Sequence, residues 1–270
     1  MNAPLPRSQR LFEGFSPQER DEILSLGTPQ VFRRGETLFR EREPATTLYL
    51  PETGRIKLTQ LSAEGEEVIM RYMAPGEVFA AVALFPGGTY PVTAEATERT
   101  RVRTWTGESL HTLVRQHPRF EANLLRIVSS HTQEALSRVR ELATENVAQR
   151  LARTLLRLGA QIGQSEPEGA VLVDRITQQE LAQISGTTLF TVSRTLTEWQ
   201  EQGIVETGRQ RYRIVDPGRL GGGGGGGVTW RYRFTIRGDR RSDFRENPRS
   251  GPPKLGRSPP PSAAPSRHRR

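Results

Sequence analysis

Residues 177–203, TQQELAQISGTTLFTVSRTLTEWQEQG, contain the signals of two short helices separated by a tight turn. Thr177, followed three residues later by Glu180, has the pattern of a capping box, which starts a helix. Gly186 permits the left-handed backbone conformation at which helices commonly end. A helix, a glycine-containing turn and a second helix together form a helix-turn-helix.

The second of these helices has one apolar and one polar, basic face. Thr187 or Thr188 can cap it, and its pattern continues to about Gln202. The spacing predicts an inner face of Val192, Leu196 and Trp199. It predicts an outer face of Thr188, Leu189, Thr191, Arg194 and Thr195. We expect Phe190 to pack in the core, because aromatic side chains seldom lie free on a surface.

Two short strand patterns follow Gly203, at residues 204–206 and 212–215, and residues 207–211 join them. A helix-turn-helix followed by such a hairpin is a winged helix-turn-helix, a DNA-binding module. Arg209 and Arg211 lie at the predicted hairpin tip. We expect them to contact phosphates, which position a protein on DNA without reading its sequence.

The region before this module changes from a strand pattern to a helical one. Residues 30–106 contain short strand-like runs punctuated by glycines, which predicts an antiparallel barrel or sandwich. Ser16 and Glu19 form another capping box, which predicts a short helix to about Leu26. Asn146 can cap a helix that we expect to end at Gly159.

Residues 118–144 have a helical apolar period and would form a helix about 40 Å long. One apolar stripe on so long a helix favours a parallel coiled coil between two copies. Packing against the β domain is the alternative, and both can hold in part. The predicted stripe consists of Phe120, Leu124, Ile127, His131, Ala135, Val139 and Leu142.

The net charge of +9 arises entirely from the C-terminal tail. Residues 221–270 carry 12 of the 39 Lys and Arg and 3 of the 30 Asp and Glu, which leaves 27 of each charge in residues 1–220. Seven glycines, 221–227, open this tail and predict a disordered linker. Two interpretations remain open: a basic arm that contacts phosphates, or an extension produced by out-of-frame translation. The abrupt change of composition favours the second.

Composition excludes several classes of protein. The absence of cysteine excludes disulfide scaffolds, thiolate zinc sites, cysteine-ligated iron–sulfur clusters and cysteine nucleophiles. No run approaches the length of a membrane span, and the N-terminus lacks a secretory pattern, so we expect a cytoplasmic protein. Enzyme motifs are missing too, and we expect neither catalytic residues nor a metal site.

The order of β-barrel, long helix and winged helix-turn-helix resembles the Crp/Fnr family of bacterial transcription regulators. Residues 186–205, GTTLFTVSRTLTEWQEQGIV, look like that family's recognition helix. The resemblance implies an α+β fold with an N-terminal antiparallel β-roll, similar to a double-stranded β-helix. The implied domains are an effector-sensing β-roll (11–117), a long dimerisation helix (118–145), a winged helix-turn-helix (146–218), and a Gly-rich linker with a basic disordered tail (219–270).

The resemblance also implies a homodimer that binds a palindromic site in double-stranded DNA and, if it is an activator, contacts RNA polymerase. Arg194 matches the family's recurrent arginine and would contact guanine or a nearby phosphate. Many members carry a glutamate just before the threonine that matches Thr191. This chain has Leu189 and Phe190 there, and Leu189 could contact a thymine methyl group instead. The implied DNA-binding residues are Thr177, Thr187, Thr188, Leu189, Thr191, Ser193, Arg194, Arg209 and Arg211.

Residues 75–85 fall where the nucleotide-binding members have their phosphate cassette. Ala80 and Ala81 replace the family's glycine–glutamate pair, and Tyr90 and Pro91 lie near the position of its arginine. A buried phosphate without a cationic partner is costly, so we do not expect cyclic AMP or cyclic GMP as the effector. The implied effector pocket consists of Phe79, Ala80, Ala81, Tyr90 and Thr93.

The stretch from Tyr90 to Ala94 looks more like the redox- and gas-responsive branch of the family. An iron–sulfur cluster is not expected without cysteine, whereas haem remains possible. His131 is expected in the coiled-coil seam rather than as a metal ligand. Two other classes stay open: a ligand-independent dimeric DNA-binding protein whose β-roll is only a scaffold, and an interaction protein whose helix-turn-helix no longer binds DNA.

Overall fold

A computed structural model describes residues 7–222 of the chain. After a 3-10 turn, Arg7–Phe12, helix α1 spans Pro17–Ser25. Its N-terminus has the predicted capping box: the Ser16 amide donates to Glu19 Oε2 at 2.7 Å, and the Glu19 amide donates to Ser16 Oγ at 3.2 Å. The pKa of Glu19 is lowered because these hydrogen bonds stabilise the carboxylate.

Two antiparallel sheets form the N-terminal β-roll. One has the strand order β1-β7-β3 and the other the order β2-β6-β4-β5. Phe39, Tyr49, Ile56 and Val102 come from both sheets and pack in one buried cluster, as the predicted barrel or sandwich requires. The strands are β1 (Thr28–Phe32), β2 (Thr37–Phe39), β3 (Thr47–Thr53), β4 (Ile56–Leu61), β5 (Glu67–Met73), β6 (Thr93–Ala96) and β7 (Thr100–Thr106).

Two helices connect the roll to the rest of the chain. Helix α2 (Gly107–Gln116) was not apparent in the sequence, whereas helix α3 (Pro118–Thr144) has the predicted bounds. The first three turns of α3 pack on the roll. Phe120 and Leu124 belong to the same buried cluster as Trp105 of β7, so α3 is partly a component of the N-terminal core.

The C-terminal part is a winged helix-turn-helix with a four-stranded sheet of order β10-β11-β9-β8. The helix-turn-helix of α5 and α6, and the hairpin of β10 and β11, agree with the predicted pattern. Its elements are α4 (Val147–Ile162), β8 (Gln164–Ser165), β9 (Val171–Asp174), α5 (Gln178–Ser185), α6 (Leu189–Glu201), β10 (Val205–Gly208), β11 (Arg211–Ile214) and α7 (Pro217–Gly222).

Two predicted boundaries were wrong. Helix α4 does not end at Gly159 but continues to Ile162, because the Ile162 side chain is buried in the C-terminal core. The predicted linker from residue 219 was also placed too early. Leu220 is buried and the first two glycines of the run complete α7. The remainder of the predicted linker and tail, residues 223–270, lies outside the described residues.

Within residues 7–222, no helix is both long and apolar enough to cross a membrane. The same residues contain no cluster of three or more His, Asp or Glu side chains arranged to hold a metal ion.

Candidate nucleic-acid interface and effector cavity

Side-chain caps mark where the two helices of the helix-turn-helix begin. The Thr177 amide donates to Glu180 Oε2 at 2.7 Å, and the Glu180 amide donates to Thr177 Oγ1 at 3.1 Å. Thr188, not Thr187, caps α6, because its hydroxyl accepts from the Thr191 amide at 3.3 Å. Gly186 has φ 63°, the left-handed conformation expected at the turn.

Arg150 holds this turn in place, although no sequence signal singled it out. Its guanidinium donates to the main-chain oxygens of Ser185, Gly186 and Glu145, at 3.1, 3.1 and 3.0 Å. Arg150 therefore connects the turn of the helix-turn-helix to the junction between α3 and α4. It is a positioning residue, and only the folded chain brings its three partners together.

Helix α6 buries its inner face and exposes its outer one. Val192 and Leu196 are buried in the C-terminal core, as predicted. Thr195 is buried as well, which corrects its predicted position on the outer face, because it lies only about 60° around the helix from Val192.

Phe190 is 75% exposed, so its predicted place in the core was wrong. It lies two residues before Val192 and therefore about 200° around the helix from that buried side chain. Leu189, at the flank of the same face, is 48% exposed. Ser193 and Arg194 are exposed on this surface too, whereas Thr191 is half-buried.

The guanidinium of Arg194 is held only loosely within the chain. Its Nε lies 3.7 Å from Glu198 Oε1, and both side chains are more than half exposed. Exposed pairs of this kind contribute little free energy, so a phosphate or a guanine can replace Glu198 at small cost.

The wing presents two exposed arginines, Arg209 in a two-residue turn and Arg211 at the start of β11. Strand β10 continues to Gly208 and β11 begins at Arg211, so the connection is shorter than the predicted 207–211. Arg209 and Arg211 are both exposed. Arg213 is not available in the same way, because it pairs with Glu166 at 2.6 Å and with Glu206 at 3.1 Å.

Thr177 and Thr187 are less accessible than the other predicted DNA-binding residues. Both are half-buried. The Thr177 hydroxyl also donates to Glu180 Oε2 at 2.9 Å, so it is already engaged in the cap. The structure thus brings Thr188, Leu189, Ser193 and Arg194 onto one accessible face, with the wing arginines on a separate hairpin.

An elongated cavity of about 820 Å³ runs from the β-roll along α3 to the helix-turn-helix. Four of the five predicted pocket residues line it, namely Phe79, Ala80, Ala81 and Tyr90. Thr93 does not, because its side chain turns toward the Glu41 amide and accepts a hydrogen bond from it at 3.0 Å.

Aromatic rings occupy the end of the cavity inside the roll. Phe39 stacks on Tyr90 with ring centroids 3.8 Å apart, and Tyr49 stacks on Phe79 at 5.4 Å. The Tyr90 hydroxyl accepts from the Thr47 amide at 3.0 Å and donates to the Thr47 carbonyl at 3.1 Å. Burial raises the pKa of the Tyr49 hydroxyl.

The arginines that line the cavity are engaged with protein partners. Arg71 pairs with Glu134 at 2.7 Å and with Glu77 at 3.4 Å. Arg138 donates to the main-chain oxygens of Met70 and Ile184, and desolvation lowers its pKa. A ligand phosphate would therefore compete with these partners, although the buried Nε of Arg71 has no hydrogen-bond partner among the described residues.

The apolar stripe of α3 divides into two faces. Phe120, Leu124 and Ile127 are buried in the roll of the same chain, as the alternative of packing on the β domain expects, and not in a seam between copies. The exposed face follows a spacing of three and four residues through Leu125, Val128, Thr132, Ala135, Val139 and Leu142. His131 lies beside this face and is half-buried.

Specific contacts join the roll to the DNA-binding part. The Tyr72 hydroxyl of β5 donates to Glu180 Oε1 of α5 at 2.9 Å, and Arg55 pairs with Asp174 at 3.2 Å. Ile69 and Tyr72 also belong to the same buried cluster as α4 and α5. The roll is thus in direct contact with the helix that precedes α6.

Two family comparisons match the two parts of the chain separately. Residues 29–117 match the Cyclic nucleotide-binding domain, and residues 149–221 match the Crp-like helix-turn-helix domain.

Relatives and solved structures match over most of the chain. The Cyclic AMP receptor protein of Thermus thermophilus is 30% identical over 198 residues, which are 73% of this chain and 88% of that protein. The CRP-like cAMP-activated global transcriptional regulator of Mycobacterium tuberculosis is 27% identical and covers 78% of this chain and 94% of its own. The structure of FixK2 from Bradyrhizobium japonicum matches with a TM-score of 0.63 at 25% identity, over 72% of this chain and 95% of that one.

Proposed function

Because this chain belongs to the Crp/Fnr family of transcription regulators, we propose that it binds a palindromic site in double-stranded DNA as a homodimer. The family consists of regulators rather than enzymes. The observation that carries the proposal is the accessible Thr188–Arg194 face of α6, whose opposite face is buried in the C-terminal core. Such a helix can enter the major groove without unfolding any part of its own domain.

Each part of the chain has a separate role in this proposal. Residues 11–117 form the sensing roll, residues 118–145 form the dimerisation helix and residues 146–218 bind DNA. Arg194 and Ser193 contact base edges or phosphates, and Arg209 and Arg211 contact phosphates from the wing. The site of action is the cytoplasm, and an activating form would also contact RNA polymerase.

The exposed face of α3 supports the dimer. Its spacing of three and four residues is that of a coiled-coil seam, in which Val139 and Leu142 would pack against their copies. A two-fold axis along α3 would place the two α6 helices in successive major grooves, about 34 Å apart. This requirement explains why the DNA site should be a palindrome.

Control of DNA binding would operate through the junction between α3 and α4. Glu145 and Asn146 have extended backbone there, and Arg150 connects Glu145 to the turn before α6. An effector that binds one arrangement of the two domains more tightly shifts the population toward that arrangement. The aromatic filling and the paired arginines favour an uncharged or weakly polar signal over a cyclic nucleotide.

A ligand-independent DNA-binding protein is the second candidate function. The observation that favours it is the stacked Phe39 and Tyr90 pair, which already fills one end of the roll. In that case, the roll would serve only to orient α3. Haem or another gas-sensing group would argue for the first candidate, and absorption spectra of the purified chain distinguish the two.

DNA selection from a random duplex library tests the proposal. The full chain is used at physiological salt with an excess of unlabelled non-specific DNA, because the basic tail otherwise contributes counterion-release binding. We expect enrichment of a two-fold palindrome with half-sites about one helical turn apart. A set of unrelated sequences, or a site without two-fold symmetry, would contradict the proposed dimer.

A further inference from the structure

We propose that Phe190 determines sequence specificity by contacting the 5-methyl group of a thymine in each half-site. This inference rests on the proposed DNA-binding function and deepens it. Phe190 has no part in the packing of its own domain. Its side chain is 75% exposed, and it belongs to none of the buried clusters that the described residues form.

The position of Phe190 on α6 directs it toward the same surface as Arg194. The two residues are four apart and therefore lie one turn apart on the same face, with Cβ atoms about 6 Å from each other. Both point away from Val192, which is fully buried. If Arg194 contacts a base edge, Phe190 must lie against the neighbouring part of the groove floor.

The chemistry of the major groove then selects the partner. The thymine methyl is the apolar group on the base edges, whereas the other exposed groups are hydrogen-bond donors and acceptors. A phenyl ring cannot satisfy those polar groups, and covering them costs free energy. Since base pairs are spaced about 3.4 Å apart, the thymine should lie within about two base pairs of the base that Arg194 contacts.

The residues around Phe190 favour DNA, rather than a protein, as the partner of this face of α6. Arg194 and Ser193 lie on the same exposed face, and Leu189 is the other large apolar side chain on it. A protein-binding patch of only two apolar residues would be unusually small. An apolar ring one turn away from a loosely held arginine suits a groove floor that offers methyl groups and guanine together.

The test replaces thymine by deoxyuridine, one position at a time, in the palindrome selected by the full chain. Deoxyuridine lacks only the methyl group, so hydrogen bonding is unchanged. We expect one position in each half-site where this change weakens binding about fourfold, which corresponds to one buried methyl group. Changing both half-sites together should weaken binding about fifteenfold.

The variant Phe190→Ala should bind the thymine and deoxyuridine sites equally well. Arg194→Ala should bind more weakly but retain the preference for thymine. Leu61→Ala removes another exposed apolar side chain, at the end of β4 in the roll, and is the control that should behave like the unchanged chain. Thermal unfolding of Phe190→Ala should match that of the unchanged chain, which separates readout from misfolding.

Each result has a distinct meaning. Enrichment of a palindrome with no deoxyuridine effect would overturn the role of Phe190 and leave the proposed DNA binding intact. An effect of the same size in Phe190→Ala would overturn that role as well, because another residue must then contact the methyl. Failure to enrich any sequence would contradict both the proposed function and this inference.

Discussion

Helices α3 and α6 both expose large apolar side chains, but the two surfaces differ in extent and in their neighbours. The exposed face of α3 runs over 18 residues, from Leu125 to Leu142, with the spacing of a coiled coil. That of α6 consists of Leu189 and Phe190, beside Ser193 and Arg194. Exposure alone therefore does not identify the partner of an apolar surface. The length of the exposed surface and the polarity of the residues beside it identify that partner.

The two helices also differ in what their buried faces pack against. The first turns of α3 belong to the core of the roll, whereas the inner face of α6 belongs to the C-terminal core. A substitution in α3 can therefore affect the roll, the proposed dimer and DNA binding. A substitution on the outer face of α6 should affect DNA binding alone. The predictions below use this difference.

The largest expected effect comes from Val139→Asp on the exposed face of α3. A carboxylate in the centre of an apolar seam is buried without a partner, which typically costs about 3–5 kcal/mol. We expect a monomer in analytical ultracentrifugation and loss of binding to the palindrome. Gln133→Asp places the same charge on the exposed side of α3 away from the seam and should remain dimeric. If Val139→Asp stayed dimeric, the exposed stripe would have another purpose.

The next largest effect is a difference in stability between substitutions on the buried and the exposed face of α6. Leu196→Ala should lower the free energy of unfolding by about 2–5 kcal/mol, because Leu196 is buried in the C-terminal core. Phe190→Ala should change it by less than about 0.5 kcal/mol, since its side chain is mostly exposed. Chemical denaturation of both variants measures the difference. A large loss of stability in Phe190→Ala would mean that the ring packs against protein.

Arg194→Ala should weaken binding to the selected palindrome by about 1–3 kcal/mol and hardly affect binding to unrelated DNA. The reason is that Arg194 is held in the free protein by only a loose exposed pair with Glu198. Fluorescence titrations with both DNAs at fixed salt provide the measurement. Arg34→Ala removes an equal charge from an exposed turn of the roll and is the control. Equal losses on both DNAs would assign Arg194 to phosphate contact alone.

The smallest expected effect concerns the contact between the roll and α5. Tyr72→Phe keeps the ring but removes the hydrogen bond to Glu180, which should cost about 1–2 kcal/mol of unfolding free energy. Burial and the Glu180 carboxylate raise the pKa of Tyr72 far above its usual value. The folded chain therefore retains this proton at a pH where the unfolded chain has lost it.

That difference in protonation predicts how the effect depends on pH. The stability from Tyr72 is fully present below its unfolded pKa of about 10 and decreases as the pH rises above it. The difference between the unchanged chain and Tyr72→Phe should shrink in the same range. Urea denaturation at pH 8 and at a pH above 10 measures the difference in unfolding free energy between the two chains. A difference that is the same at both pH values would contradict the raised pKa of Tyr72.

Local signals predicted most of the C-terminal elements. The capping boxes predicted at Ser16 and Thr177 and the cap predicted at Asn146 are present, and α3 has its predicted bounds. These features depend on residues three or four positions apart, so the chain specifies them before any tertiary contact forms. Membership in the family followed from the same short patterns and is confirmed by the relatives.

The predicted pocket coincides only partly with a cavity in the structure, for a physical reason. Ala80 and Ala81 line the cavity, but Thr93 turns to the Glu41 amide, 52 residues away in sequence. A short strand motif predicts that successive side chains point to opposite faces of the sheet. It does not predict which polar group a given side chain will meet in the folded chain. No sequence pattern indicates the role of Arg150 for the same reason. Its partners lie at the junction between α3 and α4 and in the turn before α6.

The sequence by itself determined most element types, the N-terminal caps of α1, α4 and α5, and the order of roll, long helix and winged helix-turn-helix, because periodicity and capping are local properties. The tertiary structure alone decided which apolar side chains are covered. It buried Phe120, Leu124 and Ile127 in the roll, left Val139 and Leu142 exposed and turned Phe190 outward. Burial depends on what lies across a contact, and neighbours in sequence do not specify that partner.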